Sequence, residues 1–304
     1  MACAGAAASA AEGLGDGMKS DVQGTDQGTT KGTIYSIRGV SYNVRCIGSG
    51  EPLLLIHGFT GSIAQWEPLE ASLSRTYQLI MVDMLGHGSS DAPLQFDRYS
   101  TLEVVEDLAE LLQKLGHKQV HVLGYSMGGR IALSFAMQKR ELVRSLIMES
   151  SSPGLASEEE RLARTKSDQA LAKRIEQQGI EWFADYWGKL PLFSSMLQLP
   201  EASQKQLHES RLRNRPFGLA QSLRGIGTGV QPSWWQQLDE LMIPVLLIAG
   251  ELDTKYCHIA KQMQGRLPQA QLEIVPGAGH NVHVEQPHLF DTIIKRFLDK
   301  KGMV

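Results

Sequence analysis

Cysteine is scarce in this chain: three residues in 304, at Cys3, Cys46 and Cys257. They are too few and too scattered for a disulfide framework or a zinc site, and they fit a reducing, cytoplasmic compartment. An excess of basic charge is also missing. The net charge of -3 gives no electrostatic reason to expect nucleic acid or an acidic membrane surface as partner. No apolar run approaches the roughly 18 residues needed to span a bilayer, so stable membrane insertion is not expected. The alanine-rich N-terminus lacks basic residues ahead of its apolar part and is broken by Glu12, Gly13 and Gly15, which argues against a secretory signal. Residues 1–31 show no hydrophobic period and are expected to be a disordered tail, or a start upstream of the folded part. An organelle-targeting peptide is disfavoured there, because arginine is absent and acids are present. No internal repeat is evident.

What remains is ordinary for a globular protein with a full core: 42% hydrophobic and 21% charged residues. Two β segments are expected around Arg38-Gly39. Apolar runs of the kind that form buried parallel strands then follow at 52–56, 78–82, 120–123, 142–147, 244–248 and 272–275. Helical patterns alternate with them. The clearest runs from Ser100 to Leu115, where Ser100-x-x-Glu103 reads as a capping box and Leu102, Val105, Leu108, Leu112 and Leu115 are expected on one face. A last helix after Pro287 is expected to bury Leu289, Phe290, Ile293, Ile294, Phe297 and Leu298. The fold class is therefore α/β, a mostly parallel sheet flanked by helices. The alternation breaks between Leu155 and Leu241, where Trp182, Phe183, Tyr186, Trp187, Trp234 and Trp235 concentrate. This predicts a core of residues 32–154 and 242–304 with a helical cap, 155–241, inserted over the sheet's active edge. Aromatics there either line a pocket or fasten cap to core.

The stretch Gly124-Tyr125-Ser126-Met127-Gly128 joins an apolar strand to a helical pattern. Strand, G-x-S-x-G and helix in that order are the context of a nucleophile elbow, in which a strained turn lifts the serine hydroxyl out of the sheet. A serine hydroxyl is a weak nucleophile or base until an imidazole takes its proton. His280 is the preferred partner, because it follows a strand in the glycine-rich loop Pro276–Gly279, at the end of a sheet where α/β folds place their sites. His283 is the runner-up, and His57 is expected to shape its own loop. Asp253, directly after the run 246–250, is the preferred acid, with Glu149, one strand earlier, as competitor. The N–H groups of Met127 and of Phe59, in His57-Gly58-Phe59-Thr60-Gly61, are the expected oxyanion donors. Losing one such donor typically costs on the order of 3 kcal/mol of transition-state stabilisation. Arg130 lies one turn past Ser126 and can face the same pocket. A carboxylate-rich substrate gains a planar, bidentate partner there, and Arg164, Arg211 and Arg213 could add to it.

From Ile34 to Leu298 the chain resembles the α/β-hydrolase superfamily, on the strength of 57–61, 124–128, Asp253 and His280. Within it the chain is similar to the 2-succinyl-6-hydroxy-2,4-cyclohexadiene-1-carboxylate synthase family of menaquinone biosynthesis. That narrower resemblance rests on Gly124–Arg130, Glu149–Leu155, Gly227–Trp235 and Leu252–Tyr256. It implies a lyase, not a hydrolase. A ring proton would be removed by Ser126 with His280 and Asp253 behind it, and pyruvate eliminated without metal or organic cofactor. It also implies roles around a small anionic substrate for Tyr125, Arg130, Arg164 and Arg211, with Trp187 as a wall of the pocket. A serine hydrolase of esters, thioesters or carbon-carbon bonds would use the same triad, and a non-catalytic ligand-binding relative would share the fold. A monomer or small homo-oligomer is expected.

Overall fold

Five of the strands are buried almost throughout, and they lie inside the sheet, where both of its faces are covered. The computed structural model describes residues 32–299; the segment 1–31, expected to be a tail, lies outside the described residues. The elements in chain order are β1 (Thr33–Ile37), β2 (Val40–Ile47), β3 (Glu51–Ile56), α1 (Glu67–Leu73), β4 (Tyr77–Val82), α2 (Thr101–Lys114), β5 (Val120–Tyr125), α3 (Met127–Gln138) and β6 (Val143–Glu149). Then come α4 (Glu158–Gly188), α5 (Glu201–Leu212), α6 (Pro216–Ile226), β7 (Val245–Gly250), α7 (Thr254–Gln264), β8 (Ala270–Val275), α8 (Val282–Glu285) and α9 (Pro287–Asp299). The strands form one eight-stranded sheet, order β1-β2-β4-β3-β5-β6-β7-β8. β2 runs antiparallel to both of its neighbours, and every pairing from β4 to β8 is parallel. The α/β architecture read from the alternating runs is the one observed.

The first two strands are joined by Arg38 and Gly39, both at positive φ (44° and 83°), as a two-residue hairpin turn requires. Asp107 on α2 fastens that hairpin to the core. Its fully buried carboxylate accepts from Tyr42 Oη (2.7 Å) and pairs with Arg98 (2.8 Å) and Arg38 (3.1 Å).

Helix faces depart from the pattern in two places. On α2 the buried apolar residues are Val104, Val105, Leu108, Leu111 and Leu112, while Leu102 is 58% exposed. At about 100° per residue Leu102 lies roughly 120° from the centre of that face, too far to reach the sheet. Leu289 on α9 is likewise exposed, at 40%, whereas Phe290, Ile293, Ile294, Phe297 and Leu298 are buried. The capping box at Ser100 is only half formed. Ser100 accepts from the Glu103 N–H, but the Glu103 carboxylate turns to Arg98 and Arg38 instead. A complete box stands at Ser157 and Glu160, opening α4.

Between β6 and β7 the chain forms α4, α5 and α6, with a break in α4 at Gly179 (φ 81°). These helices pack on the loops that leave the carboxyl ends of the strands. Phe59, after β3, meets Phe183 and Trp187, and Asn214 Nδ2 donates to the Thr60 carbonyl (2.9 Å). Trp234 and Trp235 belong elsewhere: they pack against the main core, with Trp234 Nε1 on Ser134 Oγ and Trp235 Nε1 on the Gly154 carbonyl. Among the described residues no helix is long and apolar enough to cross a membrane.

Asp107→Ala should destabilise the fold by about 3 kcal/mol, because it leaves the Tyr42 hydroxyl and two guanidinium groups without their buried partner. Urea unfolding followed by circular dichroism reads this directly. A change below about 1 kcal/mol would mean that apolar contacts alone hold the hairpin.

Candidate active site

The turn from β5 into α3 leaves no room for side chains other than the ones it presents. A Cβ on Gly124 would collide with the Gly128 carbonyl, and one on Gly128 with the Ile56 carbonyl of β3. That close approach drives Ser126 to φ 51°, ψ −105°, a strained conformation for a non-glycine residue. Its N–H donates to the Glu149 carbonyl (2.9 Å), which pins the elbow to β6. The hydroxyl is left half-buried and accessible.

Ser126 Oγ lies 3.0 Å from His280 Nε2, and His280 Nδ1 lies 2.6 Å from Asp253 Oδ2. Asp253 ends the loop after β7, where its other oxygen accepts the Tyr256 N–H (3.2 Å) and caps α7. The loop carrying His280 is clamped by Glu285, whose carboxylate accepts the N–H groups of Gly279 (2.8 Å) and Asn281 (3.1 Å) on either side of the histidine. Both members of the acid–imidazole pair are buried. This arrangement can draw a proton from the serine hydroxyl and stabilise the resulting imidazolium. The structure thus brings together Ser126, His280 and Asp253. The two competitors are joined to each other instead: His283 Nδ1 meets both oxygens of Glu149 (2.7 and 2.9 Å).

Met127 opens α3, so its N–H has no partner within the helix. The Phe59 N–H is aimed by its own peptide plane. The Gly58 carbonyl in that plane accepts from His57 Nδ1 (2.7 Å) and from the Gly61 N–H (3.0 Å), so the Phe59 N–H points the opposite way. His57 can donate from Nδ1 because Nε2 accepts the Met84 N–H (3.0 Å), which sets its tautomer. Neither Phe59 nor Met127 spends its N–H on a hydrogen bond among the described residues.

Arg130 is held by neutral partners, the Ile226 carbonyl (3.0 Å) and Gln231 Oε1. No carboxylate among the described residues forms an ion pair with it. Burial pushes its pKa down to about 10, opposed by Tyr256 and by the Asp168 carboxylate and reinforced by Arg164, so it remains charged at neutral pH. Arg164 differs: it is 41% exposed and paired with Asp168 (2.7 Å), an (i, i+4) contact along α4. Arg211 stands over the Phe193 ring at 5.7 Å with its pKa lowered by burial. Tyr125 is buried with its ring 5.5 Å from His280, and burial raises its pKa well above the usual value, the Glu149 charge adding to it. Trp187 packs against Phe59 (5.2 Å) and Phe193 (5.9 Å). A cavity of about 330 Å³ opens among Phe59, Gln65, Tyr125, Trp187, Arg211 and His283.

Several neighbours carry no individual signal in the sequence. Tyr256 (4.7 Å) and Phe193 (5.9 Å) pack on the His280 ring, Gln231 holds Arg130, and Glu285 clamps the His280 loop. Asp168 had a readable signal in its (i, i+4) spacing from Arg164.

With this geometry, comparison with known proteins is informative. Residues 51–287 match the α/β hydrolase fold family, the class of protein that the parallel sheet and the serine elbow define. A Bacillus subtilis (strain 168) protein with the provisional name 2-succinyl-6-hydroxy-2,4-cyclohexadiene-1-carboxylate synthase is 48% identical, over 86% of this chain and 95% of its own. A protein of Photorhabdus laumondii with the same synthase name is 34% identical over 81% of this chain and 84% of its own. The solved structure of MenH from S. aureus superposes with a TM-score of 0.82 at 34% identity, covering 90% of this chain and all (100%) of that one. The chain belongs to this synthase family of the α/β-hydrolase fold.

His87 supplies a test of the buried base of the site. Its ring lies 5.1 Å from that of His57, and its pKa is pushed from 6.5 down to about 3, chiefly by burial and then by the His57 charge. Burial lowers the pKa of His57 as well. The native state therefore refuses protons that the unfolded chain accepts below about pH 6.5, so stability falls as pH drops through this window. His87 alone should contribute a slope approaching about 1.4 kcal/mol per pH unit between pH 6 and pH 4. Urea midpoints across that range should fall less steeply for His87→Asn than for the parent. Parallel slopes would mean that His87 does not govern acid stability.

Proposed function

We propose that this chain is a carbon-oxygen lyase that converts 2-succinyl-5-enolpyruvyl-6-hydroxy-3-cyclohexene-1-carboxylate to 2-succinyl-6-hydroxy-2,4-cyclohexadiene-1-carboxylate and pyruvate. The observation that carries this reading beyond family membership is Arg130. Its half-buried guanidinium is hydrogen-bonded to neutral partners and ion-paired to no carboxylate among the described residues, with Asp168 acting only at a distance. Its charge is thus left for an anion, and a pocket for a neutral ester has no use for one. The substrate carries three carboxylates. Arg211 and Arg213 at the cavity, and Arg164 once released from Asp168, are further cations of the insertion. The helices of 155–241 act in this reading as a cap over the pocket, with Trp187 as its wall and Tyr125 at its floor.

The reaction then follows from the geometry. His280 takes the Ser126 proton, Asp253 holds the imidazolium, and the serine oxygen removes the ring proton beside the succinyl carbonyl. The Phe59 and Met127 N–H groups receive the charge that develops on that carbonyl oxygen. The electron pair moves through the conjugated system and breaks the bond to the enolpyruvyl oxygen. The proton resting on His280 balances the departing enolpyruvate, which becomes pyruvate. Every group needed for these steps is a side chain or amide of this chain, and the reading places the enzyme in the cytoplasm.

The test is pyruvate release from the enolpyruvyl precursor, generated in situ and coupled to lactate dehydrogenase, with an aryl ester assayed in parallel. Fast pyruvate release with slow ester cleavage is expected; the reverse would make the protein a serine hydrolase. Ser126→Ala should abolish nearly all pyruvate release while leaving the circular dichroism spectrum unchanged, and substantial residual turnover would remove the serine from the role of base. Arg130→Ala should lower kcat/KM for the tricarboxylate on the order of ten- to a hundredfold. The ester rate should change little. Equal losses on both substrates would make Arg130 a structural residue.

A further inference from the structure

The second carboxylate–imidazole pair, Glu149 with His283, has no part in the steps above, yet both side chains are buried and neither is spare. The Glu149 carboxylate accepts from His283 Nδ1 and from the His283 backbone N–H (3.0 Å). On the far side of the ring, His283 Nε2 lies 2.9 Å from Gln65 Nε2, and Gln65 Oε1 lies 3.3 Å from the Gly58 N. The direction of this chain is fixed by its last member. A backbone N–H can only donate, so the glutamine oxygen faces Gly58 and its amide N–H faces His283. The His283 Nε2 must then accept, which leaves its proton on Nδ1, pointing at Glu149. Trp66, Tyr125 and Phe290 pack around the ring at 5.1, 4.9 and 5.7 Å and keep it in that orientation.

Both ends of the chain lie at the oxyanion donors. The Glu149 carbonyl holds the Ser126 N–H, immediately before Met127, and its carboxylate reaches through His283 and Gln65 to Gly58, immediately before Phe59. Gly58 is thereby held at both its groups: its carbonyl by His57 and Gly61, its N–H by Gln65. Two successive peptide planes are fixed, and the second is the one that carries the Phe59 N–H.

We propose that Glu149, His283 and Gln65 are positioning residues: a hydrogen-bonded relay that sets the distance between the Phe59 and Met127 N–H groups and so preorganises the oxyanion hole. The relay rests on the assignment of those two donors and not on the identity of the substrate. Preorganisation acts on the transition state, where the charge develops, so it appears in kcat. A misplacement on the order of 1 Å can cost up to about a hundredfold.

Two variants cut the relay at the same link from opposite sides. Gln65→Leu removes the glutamine at a half-buried position. His283→Asn keeps a donor near the Nδ1 position for Glu149 and removes the Nε2 acceptor together with the rest of the ring. Each should lower kcat about ten- to a hundredfold with KM unchanged within about twofold, for pyruvate release and for ester cleavage alike. The double variant should be no worse than the poorer single one, because the link is already broken. Hydrogen exchange of the amides of residues 57–62, read by mass spectrometry, should quicken in both. An unchanged kcat in Gln65→Leu, a loss confined to KM, or losses that multiply in the double variant would overturn the relay. If the parent protein released no pyruvate, the lyase reading would fall, while ester rates and amide exchange would still decide the relay.

Discussion

The site depends on one steric constraint: the closeness of α3 to β3 and β5 at the elbow. Ser126 is held at φ 51° because the backbone of Gly128 touches that of Ile56 and Gly124 lies against Gly128. Such a residue is strained by about 1–3 kcal/mol and persists only where its surroundings overdetermine it. Here the strand before it is buried throughout, and the Glu149 carbonyl takes its N–H. Packing in the sheet therefore sustains a conformation that the serine would not adopt alone. The result is a hydroxyl raised above the sheet and the N-terminus of a helix beside it.

Around that fixed point the parallel strands deliver polar groups from one edge. Asp253 follows β7, His280 follows β8, Glu149 ends β6 and the Phe59 loop follows β3. Each group arrives at the carboxyl end of its strand, the side on which open α/β sheets place ligands. Two acid–imidazole pairs result, and their partners separate them. His280 presents Nε2 to a serine hydroxyl that is half-exposed, whereas His283 presents Nε2 to a glutamine within the loop. The first pair faces a place where a substrate atom can sit, and the second faces the Gln65 side chain in the cavity wall.

The legible part of this site was the part written in neighbouring residues. Ser126, Asp253 and His280 each follow an apolar run closely, so strand and loop could be recognised together, and the parallel part of the sheet came from the same runs. Contacts across the fold were not legible. His283 and Glu149 are 134 residues apart in the chain, and His283 and Gln65 are 218 apart, so no local pattern ties them. Gln65 carries neither charge nor motif. Leu102 and Leu289 were misread for a different reason: an apolar residue at the margin of a helical stripe has the right type and the wrong angle. The ion pair of Arg164 with Asp168 was written at (i, i+4) in the sequence, and it changes what Arg164 can offer a ligand.

A serine, a histidine and an aspartate so arranged do not choose between hydrolysis and elimination, because proton withdrawal from the serine begins both. The choice depends on what is brought to the serine oxygen. A carbonyl carbon placed there invites addition; a C–H bond placed there, with the carbonyl oxygen still in the donor pair, invites removal of a proton. Orientation of the substrate therefore decides the chemistry, and for a rigid ring bearing several carboxylates orientation is set by the cations. Arg130 lies a turn of helix from the serine, with its geometry fixed by Ile226 and Gln231, so it can act as a stationary anchor. Arg211, on a different helix and resting on Phe193, offers a second anchor at the cavity. Two anchors set on separate elements fix the tilt of a ring as well as its position. Under the proposed lyase reading, the difference between a lyase and an esterase of the same fold lies less in the triad than in the cations around it.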